Sequence, residues 1–194
     1  MKVPLFFKSL SSLPDEELMR RVSHKGDDGA FDELYHRHAR RLMGFFFRQV
    51  NRDEALAADL TQDAFMRVWS ARANYSGASF STWLYSIAYN LCKNWFRHAS
   101  YQQMYEEEMR EISNEEYDYG FESDLDKESF DDALQTELSK IQPAHRLLFS
   151  LRFEEELSVP QIAAILDIPE GTVKSRLHTL IHSLKTKLQH YGKF

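Results

Sequence analysis

Apolar residues recur along most of the chain at intervals of three and four, the spacing that gathers them on one side of a helix. After Asp15-Glu16-Glu17, an acidic run suited to a first turn, Leu18, Met19 and Val22 predict a short amphipathic helix that stops at Lys25-Gly26-Asp27. A second helix should start near Asp28. Phe31, Leu34, Tyr35, Leu42, Phe45 and Phe46 form its apolar side, with Arg37, Arg40, Arg41 and Arg48 largely between them. A third begins around Asn51-Arg52-Asp53-Glu54. Leu56, Leu60, Ala64, Phe65, Val68 and Trp69 give it one apolar face, and Asp59, Gln62, Asp63, Met66 and Arg67 occupy the rest.

Residues 70–80 read as a loop by composition, after which Ser81 or Thr82 can cap a long helix running to about His98. Trp83, Leu84, Ile87, Leu91 and Trp95 supply its buried side. On the other side Tyr85, Tyr89, Lys93 and Arg97 stand four apart, with Asn90 and Asn94 in a parallel row. Rings interleaved with amides and cations suit unpaired bases and phosphates. An ordinary amphipathic surface with half-buried tyrosines explains the same spacing.

From 100 to about 129 the periodicity fades and acidic residues crowd in, as in Glu106-Glu107-Glu108 and Glu115-Glu116, which predicts a solvated, mobile linker with a helical turn or two. Beyond it Phe130, Leu134, Leu138 and Ile141 resume helical spacing. Pro143 breaks the pattern, and Leu147, Leu148 and Leu151 begin another helix. Ser158 and Gln161 then make a capping box, with Leu157 and Ile162 placed as its hydrophobic staple. Ile162, Ala163, Ile165 and Leu166 form a short helix, Asp167-Ile168-Pro169 turns the chain, and Val173, Leu177, Leu180, Ile181, Leu184 and Leu188 line a second one. Two helices joined by a turn of this length read as a helix-turn-helix, against the plainer αα-hairpin with a solvated face. Thr172, Lys174, Ser175, Arg176, His178 and Thr179 are left exposed near the start of the second helix, where a major-groove reader needs polar and cationic groups.

Seven glycines and five prolines in 194 residues are too few turn-formers for a β-sandwich, and the length suits two small all-α cores. The net charge of −6 argues against a nucleic-acid binder until it is divided along the chain. Residues 1–99 carry 14 Lys/Arg against 11 Asp/Glu, residues 100–140 carry 3 against 14, and residues 141–194 carry 7 against 5. Acidity therefore belongs to the connector, and either end can meet a polyanion. The single cysteine, Cys92, excludes an intramolecular disulfide framework and fits a reducing, cytoplasmic setting. Leu5-Phe6-Phe7 is too short for a signal-peptide core, and no run of 18 apolar residues predicts a membrane span.

Four segments, in this order, resemble the extracytoplasmic-function sigma factors, the smallest bacterial initiation factors of the sigma-70 type. Residues 31–35 (FDELY) resemble the opening of sigma region 2. Residues 59–65 (DLTQDAF) with Val68-Trp69 resemble the core-polymerase-binding helix. Residues 80–88 (FSTWLYSIA) with Asn90 resemble the promoter-melting segment, and residues 162–166 with 169–177 (PEGTVKSRL) are close to the region 4 pattern. Two departures stand out: Arg97-His98-Ala99-Ser100 is sparse where the family often has a run of arginines, and Leu177-His178-Thr179 is milder than the usual aromatic or basic continuation.

The resemblance implies an all-α protein of two small helical domains joined by the acidic linker: region 2 over 15–99, the linker over 100–129, and region 4 over 130–190. It implies core RNA polymerase and promoter DNA as partners, with an anti-sigma factor as a further candidate, and no catalysis, cofactor or membrane insertion. Asp59, Gln62, Asp63 and Arg67 would bind the polymerase clamp helices. Asn74, Tyr75, Ser76 and Phe80 in the loop, with Tyr85, Tyr89, Asn90, Lys93, Asn94 and Arg97 on the stripe, would open the minus-10 element. Thr172, Lys174, Ser175, Arg176, His178 and Thr179 would read the minus-35 element.

Rival readings find less support. A receiver-type regulator shares the helix-turn-helix, but residues 15–99 lack an alternating strand pattern. His178 and His182 stand four apart as zinc ligands can, yet without the glutamate of a metalloprotease motif or an evident third ligand. An adaptor protein would be told apart by its failure to capture polymerase.

Overall fold

A computed structural model describes residues 9–77, 79–112 and 130–189. Eight α-helices follow one another among these residues: α1 (Asp15–Lys25), α2 (Asp28–Gln49), α3 (Glu54–Ser70), α4 (Phe80–Ile112), α5 (Phe130–Lys140), α6 (Pro143–Phe149), α7 (Val159–Leu166) and α8 (Glu170–Leu188). Their ends follow local chemistry. Gly26 stops α1 at φ 60°, a left-handed conformation that costs glycine little. Asp27 and Asp53 cap α2 and α3 by accepting from the amides of Ala30 (3.1 Å) and Leu56 (3.0 Å). Arg37 ties the entry segment down, donating to Asp15 and to the carbonyls of Leu10, Ser11 and Leu13.

Two boundaries differ from expectation. The amide of Thr82 donates to Ser79 Oγ (3.3 Å), so Ser79 rather than Ser81 or Thr82 caps α4. Phe80 therefore opens the helix instead of ending the loop. At its far end α4 passes His98 and continues to Ile112, taking in the first part of the expected linker. Residues 100–112 hold glutamate, glutamine, methionine and arginine with no glycine or proline, so helix propensity persists where apolar periodicity has gone. The predicted mobility of the remaining linker falls on residues 113–129, outside the described residues.

The helix-turn-helix is built as its sequence specifies. Ser158 and Gln161 close a reciprocal capping box, and Asp167 turns the chain in the left-handed conformation (φ 52°). Leu157, Ile162 and Val173 are buried beneath it. Between α6 and α7 the chain makes a π-helical turn, Ser150–Glu154. One apolar cluster runs through both halves of the molecule: Phe45, Phe46, Phe65, Phe80 and Leu84 from the first belong to the same buried set as Leu148, Leu151, Ile162 and Val173 from the second. A smaller cluster joins α5 to the far end of α8 through Ala133, Leu138, Leu180, Leu184 and Leu188. α7 lies directly on α4.

Candidate polymerase and nucleic-acid interfaces

On α3, Asp59, Gln62, Asp63 and Arg67 are all exposed, while Leu60, Ala64 and Val68 are buried on the opposite side. Beside them lies a shallow apolar hollow formed by Phe31, Tyr35, Phe65, Met66 and Trp69. Met66 is 59% exposed, which is unusual for a large apolar side chain. Charged and amide groups ringing an apolar hollow form a surface suited to a protein partner. Sequence periodicity had placed Met66 among the polar positions without marking it. The signal was its position four residues after Gln62 and three after Asp63, on the same helix face.

The proposed strand-opening group divides in two. Asn74 and Ser76 are exposed in the connection between α3 and α4. Tyr75 is half-buried with its ring 5.3 Å from that of Trp83, and burial pushes its phenol up to about 12. Along α4, Asn90, Lys93 and Arg97 are exposed, Tyr89 and Asn94 are half-buried, and Arg97 donates to Asn94 Oδ1 at 2.5 Å. Phe80 and Tyr85 do not join this surface. Phe80 is wholly buried, edge-on to His38 at 5.2 Å, so it is a core residue. Tyr85 is 3% exposed. A row of residues four apart rotates by about 40° at each step around a helix of 3.6 residues per turn. Tyr85 accordingly falls at the buried edge of the row and Arg97 in solvent.

The Tyr85 ring packs edge-on to Phe45 of α2 (5.4 Å), and its hydroxyl end meets the second half of the chain. Its hydroxyl donates to the carboxylate of Glu155, just beyond the π-helical turn. The same carboxylate accepts from Arg41 Nε and Arg48 Nη2, each at 2.7 Å, and is only 1% exposed. Burial first, and then Glu155, push the Tyr85 phenol far above its ordinary value. Arg48 Nε also closes on Glu154 at 2.6 Å, out of line for a hydrogen bond. Further hydrogen bonds between the two halves flank this cluster. Gln49 donates to Ser150 Oγ (2.9 Å), Arg146 to the Gln49 carbonyl (3.1 Å), and Gln161 to Thr82 Oγ1 (3.2 Å). The sequence offered one hint, an acidic triplet Glu154-Glu155-Glu156 to match the arginine-rich side of α2.

On α8, Lys174, Ser175, Arg176, His178 and Thr179 are exposed and Thr172 is half-buried, while Val173 and Leu177 face the core. Ser175 and Thr179 donate to the helix's own carbonyls at Thr172 (3.0 Å) and Ser175 (3.1 Å). Lys174, 4.0 Å from Glu170, with Arg176 and His178 thus supplies the exposed donors of this face. Among the described residues no three His, Cys, Asp or Glu side chains gather as a metal site, and no helix is long and apolar enough to cross a membrane.

The arrangement has clear relatives. The profile of Sigma-70 region 2 matches residues 34–101, and that of Sigma-70 region 4 matches residues 131–179. The ECF RNA polymerase sigma-E factor of Haemophilus influenzae is 33% identical over 187 residues, covering 91% of this chain and 96% of that protein. The protein of that name from Escherichia coli K12 is 30% identical over 186 residues, covering 91% and 95%. The fold resembles CnrH in complex with the cytosolic domain of CnrY (TM-score 0.66, 21% identity, 92% of this chain and 99% of that one). It also resembles the sigma factor RpoE of Bartonella quintana bound to the anti-sigma factor NepR (TM-score 0.60, 20% identity, 82% and 96%). The chain belongs to the sigma-70 family, as an alternative sigma factor of the extracytoplasmic-function group.

Proposed function

We propose that this protein binds core RNA polymerase and directs it to a dedicated class of promoters, with each step assigned to a different surface. The outer face of α3 (Asp59, Gln62, Asp63 and Arg67 around the apolar hollow) engages the polymerase clamp helices. Asn74, Tyr75 and Ser76, with Tyr89, Asn90, Lys93, Asn94 and Arg97, hold the minus-10 element once its strands part. Ring faces and amides there receive bases while the cations hold phosphates. Arg176, Lys174 and His178, with the hydroxyls of α8, meet the minus-35 element in the major groove. Residues 15–99 and 130–190 act as the two functional domains, and the chemistry of RNA synthesis stays with the polymerase, inside the cell.

The carrying observation is the helix-turn-helix whose second helix buries Val173 and Leu177 while presenting Lys174, Arg176 and His178 to solvent. An anti-sigma factor, as in the complex with the Bartonella quintana protein, is a natural regulator. Run-off transcription with core polymerase on genomic fragments tests the reading. Discrete transcripts that require this protein and share a two-part upstream sequence are expected; polymerase that initiates identically with and without it would overturn the reading.

A further inference from the structure

Glu155 occupies a site that the first half of the chain provides in full. Its three donors, Arg41 and Arg48 on α2 and Tyr85 on α4, converge on one pair of oxygens withdrawn from water. Arg41 and Arg48 are seven residues apart, two helical turns, and so share a face. Glu154 and Glu156 on the same segment also face these arginines, at 2.6 Å from Arg48 and 4.0 Å from Arg41, so when the segment leaves, two guanidinium groups stand together with no counter-charge. Two guanidinium forks and a hydroxyl donor around an anion with two free oxygens are also the groups that hold a phosphodiester. The site adjoins the α4 row that continues through Tyr89, Lys93 and Arg97.

We propose that Arg41, Arg48 and Tyr85 form a binding site for a backbone phosphate of the opened promoter strand, and that Glu155 fills this site while the two halves are closed. The proposal rests on the reading of α4 as the strand-opening surface. Closure and strand capture then exclude each other, because one set of donors serves both anions. Opening is required on separate grounds. Gln161, in the helix-turn-helix, lies 3.2 Å from Thr82, on the strand-opening helix. The minus-10 and minus-35 elements are separated by about 25 base pairs, or about 85 Å at 3.4 Å per pair. A closed molecule cannot touch both. Separation frees the arginines at the moment DNA arrives, and the neutral contacts Gln49–Ser150 and Gln161–Thr82 pass to water.

Two measurements on the full chain test this. The first titrates salt against binding of the holoenzyme to a fork-junction DNA with an unpaired minus-10 strand, comparing wild type with the Arg41→Ala/Arg48→Ala double variant. Each lost phosphate contact on a single strand should lower the slope of log K against log salt by about 0.7. The Arg41→Lys/Arg48→Lys variant should keep most of the slope, and core-binding affinity and thermal melting of each variant confirm folding. The second measures binding of a single-stranded minus-10 oligonucleotide to the free protein. Glu155→Gln should bind several-fold tighter than wild type, and adding Arg41→Ala/Arg48→Ala should abolish the gain. An unchanged slope in a folded, core-binding double alanine variant would overturn the proposal, as would a Glu155→Gln protein with no gain in binding. Wild-type holoenzyme that fails to initiate at any promoter would instead remove the underlying reading, and the proposal with it.

Discussion

The phenol of Tyr85 donates a hydrogen bond to the carboxylate of Glu155, 70 residues further along the chain, and both side chains are almost wholly withdrawn from solvent. This contact joins α4 to the segment that leads into the helix-turn-helix. Tyr85→Phe keeps the ring, edge-on to Phe45 at 5.4 Å, and removes only the donor. A hydrogen bond to a charged group is worth about 1.5–3 kcal/mol, so closure should weaken by that order while helix content is kept. Cys92, part of the apolar cluster shared by both halves, offers a probe of closure. It is buried, close enough to Arg146 on α6 to feel its charge, and burial pushes its thiol up to about 12. Alkylation of Cys92 should be slow in wild type and roughly ten- to a hundredfold faster in Tyr85→Phe; equal rates would remove this hydroxyl from the closing contact.

Asp63→Arg should cripple core binding. Asp63 is exposed on α3, so the substitution disturbs no buried contact, and charged pairs at an interface contribute about 1–3 kcal/mol each. A roughly tenfold or greater loss of affinity for core polymerase, with an unchanged melting temperature, is expected from competition binding and calorimetry.

Arg176→Ala tests the α8 surface. If its guanidinium reads a guanine, about 1–3 kcal/mol of discrimination at one minus-35 position should vanish. If it meets phosphate, binding should weaken across all sequences and the salt slope should fall by about 1. Footprints identical to wild type at every salt concentration would exclude both roles.

Asn90→Ala with Lys93→Ala removes two exposed groups from the α4 row. Normal folding and core binding are expected, with permanganate-reactive thymines at the promoter strongly reduced. Stacking on a ring is worth about 1–3 kcal/mol per base, so the neighbouring Tyr89 should preserve part of the opening. Wild-type reactivity would place the melting surface elsewhere.

Asp15 links acid stability to the first domain. His38, hydrogen-bonded at 2.6 Å, and then Arg37 at 2.8 Å, hold its carboxyl below the ordinary value of 3.8 against the opposing effect of burial. A carboxyl with a depressed value in the folded state stabilises the fold above its unfolded value, and that stability is lost as pH falls through the folded value. Asp15→Asn should cost about 1–3 kcal/mol at neutral pH. Its melting temperature should also vary less with pH below about 4 than that of wild type.

The starts of α1, α2 and α3 and the whole helix-turn-helix were legible because each is written locally. Acidic caps, Gly26, the Ser158–Gln161 box and Asp167 act within a few residues of themselves. The exposed faces of α3 and α8 followed from helical spacing for the same reason. Tyr85 was misplaced because four-residue spacing drifts around the helix, and Phe80 because loop-like composition hid the capping role of Ser79 one residue before it. The extension of α4 carried no apolar period to mark it. For Glu155 the acidic triplet hinted at a match with the arginines of α2, but its particular partners Arg41, Arg48 and Tyr85 are set by how two halves of the chain meet, which no local pattern records.

The length of α4 limits which promoters the protein can serve. Its 33 residues make a rod of about 50 Å at 1.5 Å per residue. Between Ile112 and Phe130 the chain can reach at most about 60 Å, since each residue spans no more than about 3.3–3.6 Å. Beyond Arg97 the rod contributes only about 22 Å, so rod and connector together reach about 80–85 Å, close to the distance between the two promoter elements. Spacer tolerance is therefore bounded by covalent length, and shortening the connector by a few residues should narrow the range of spacers served before it alters which bases are read.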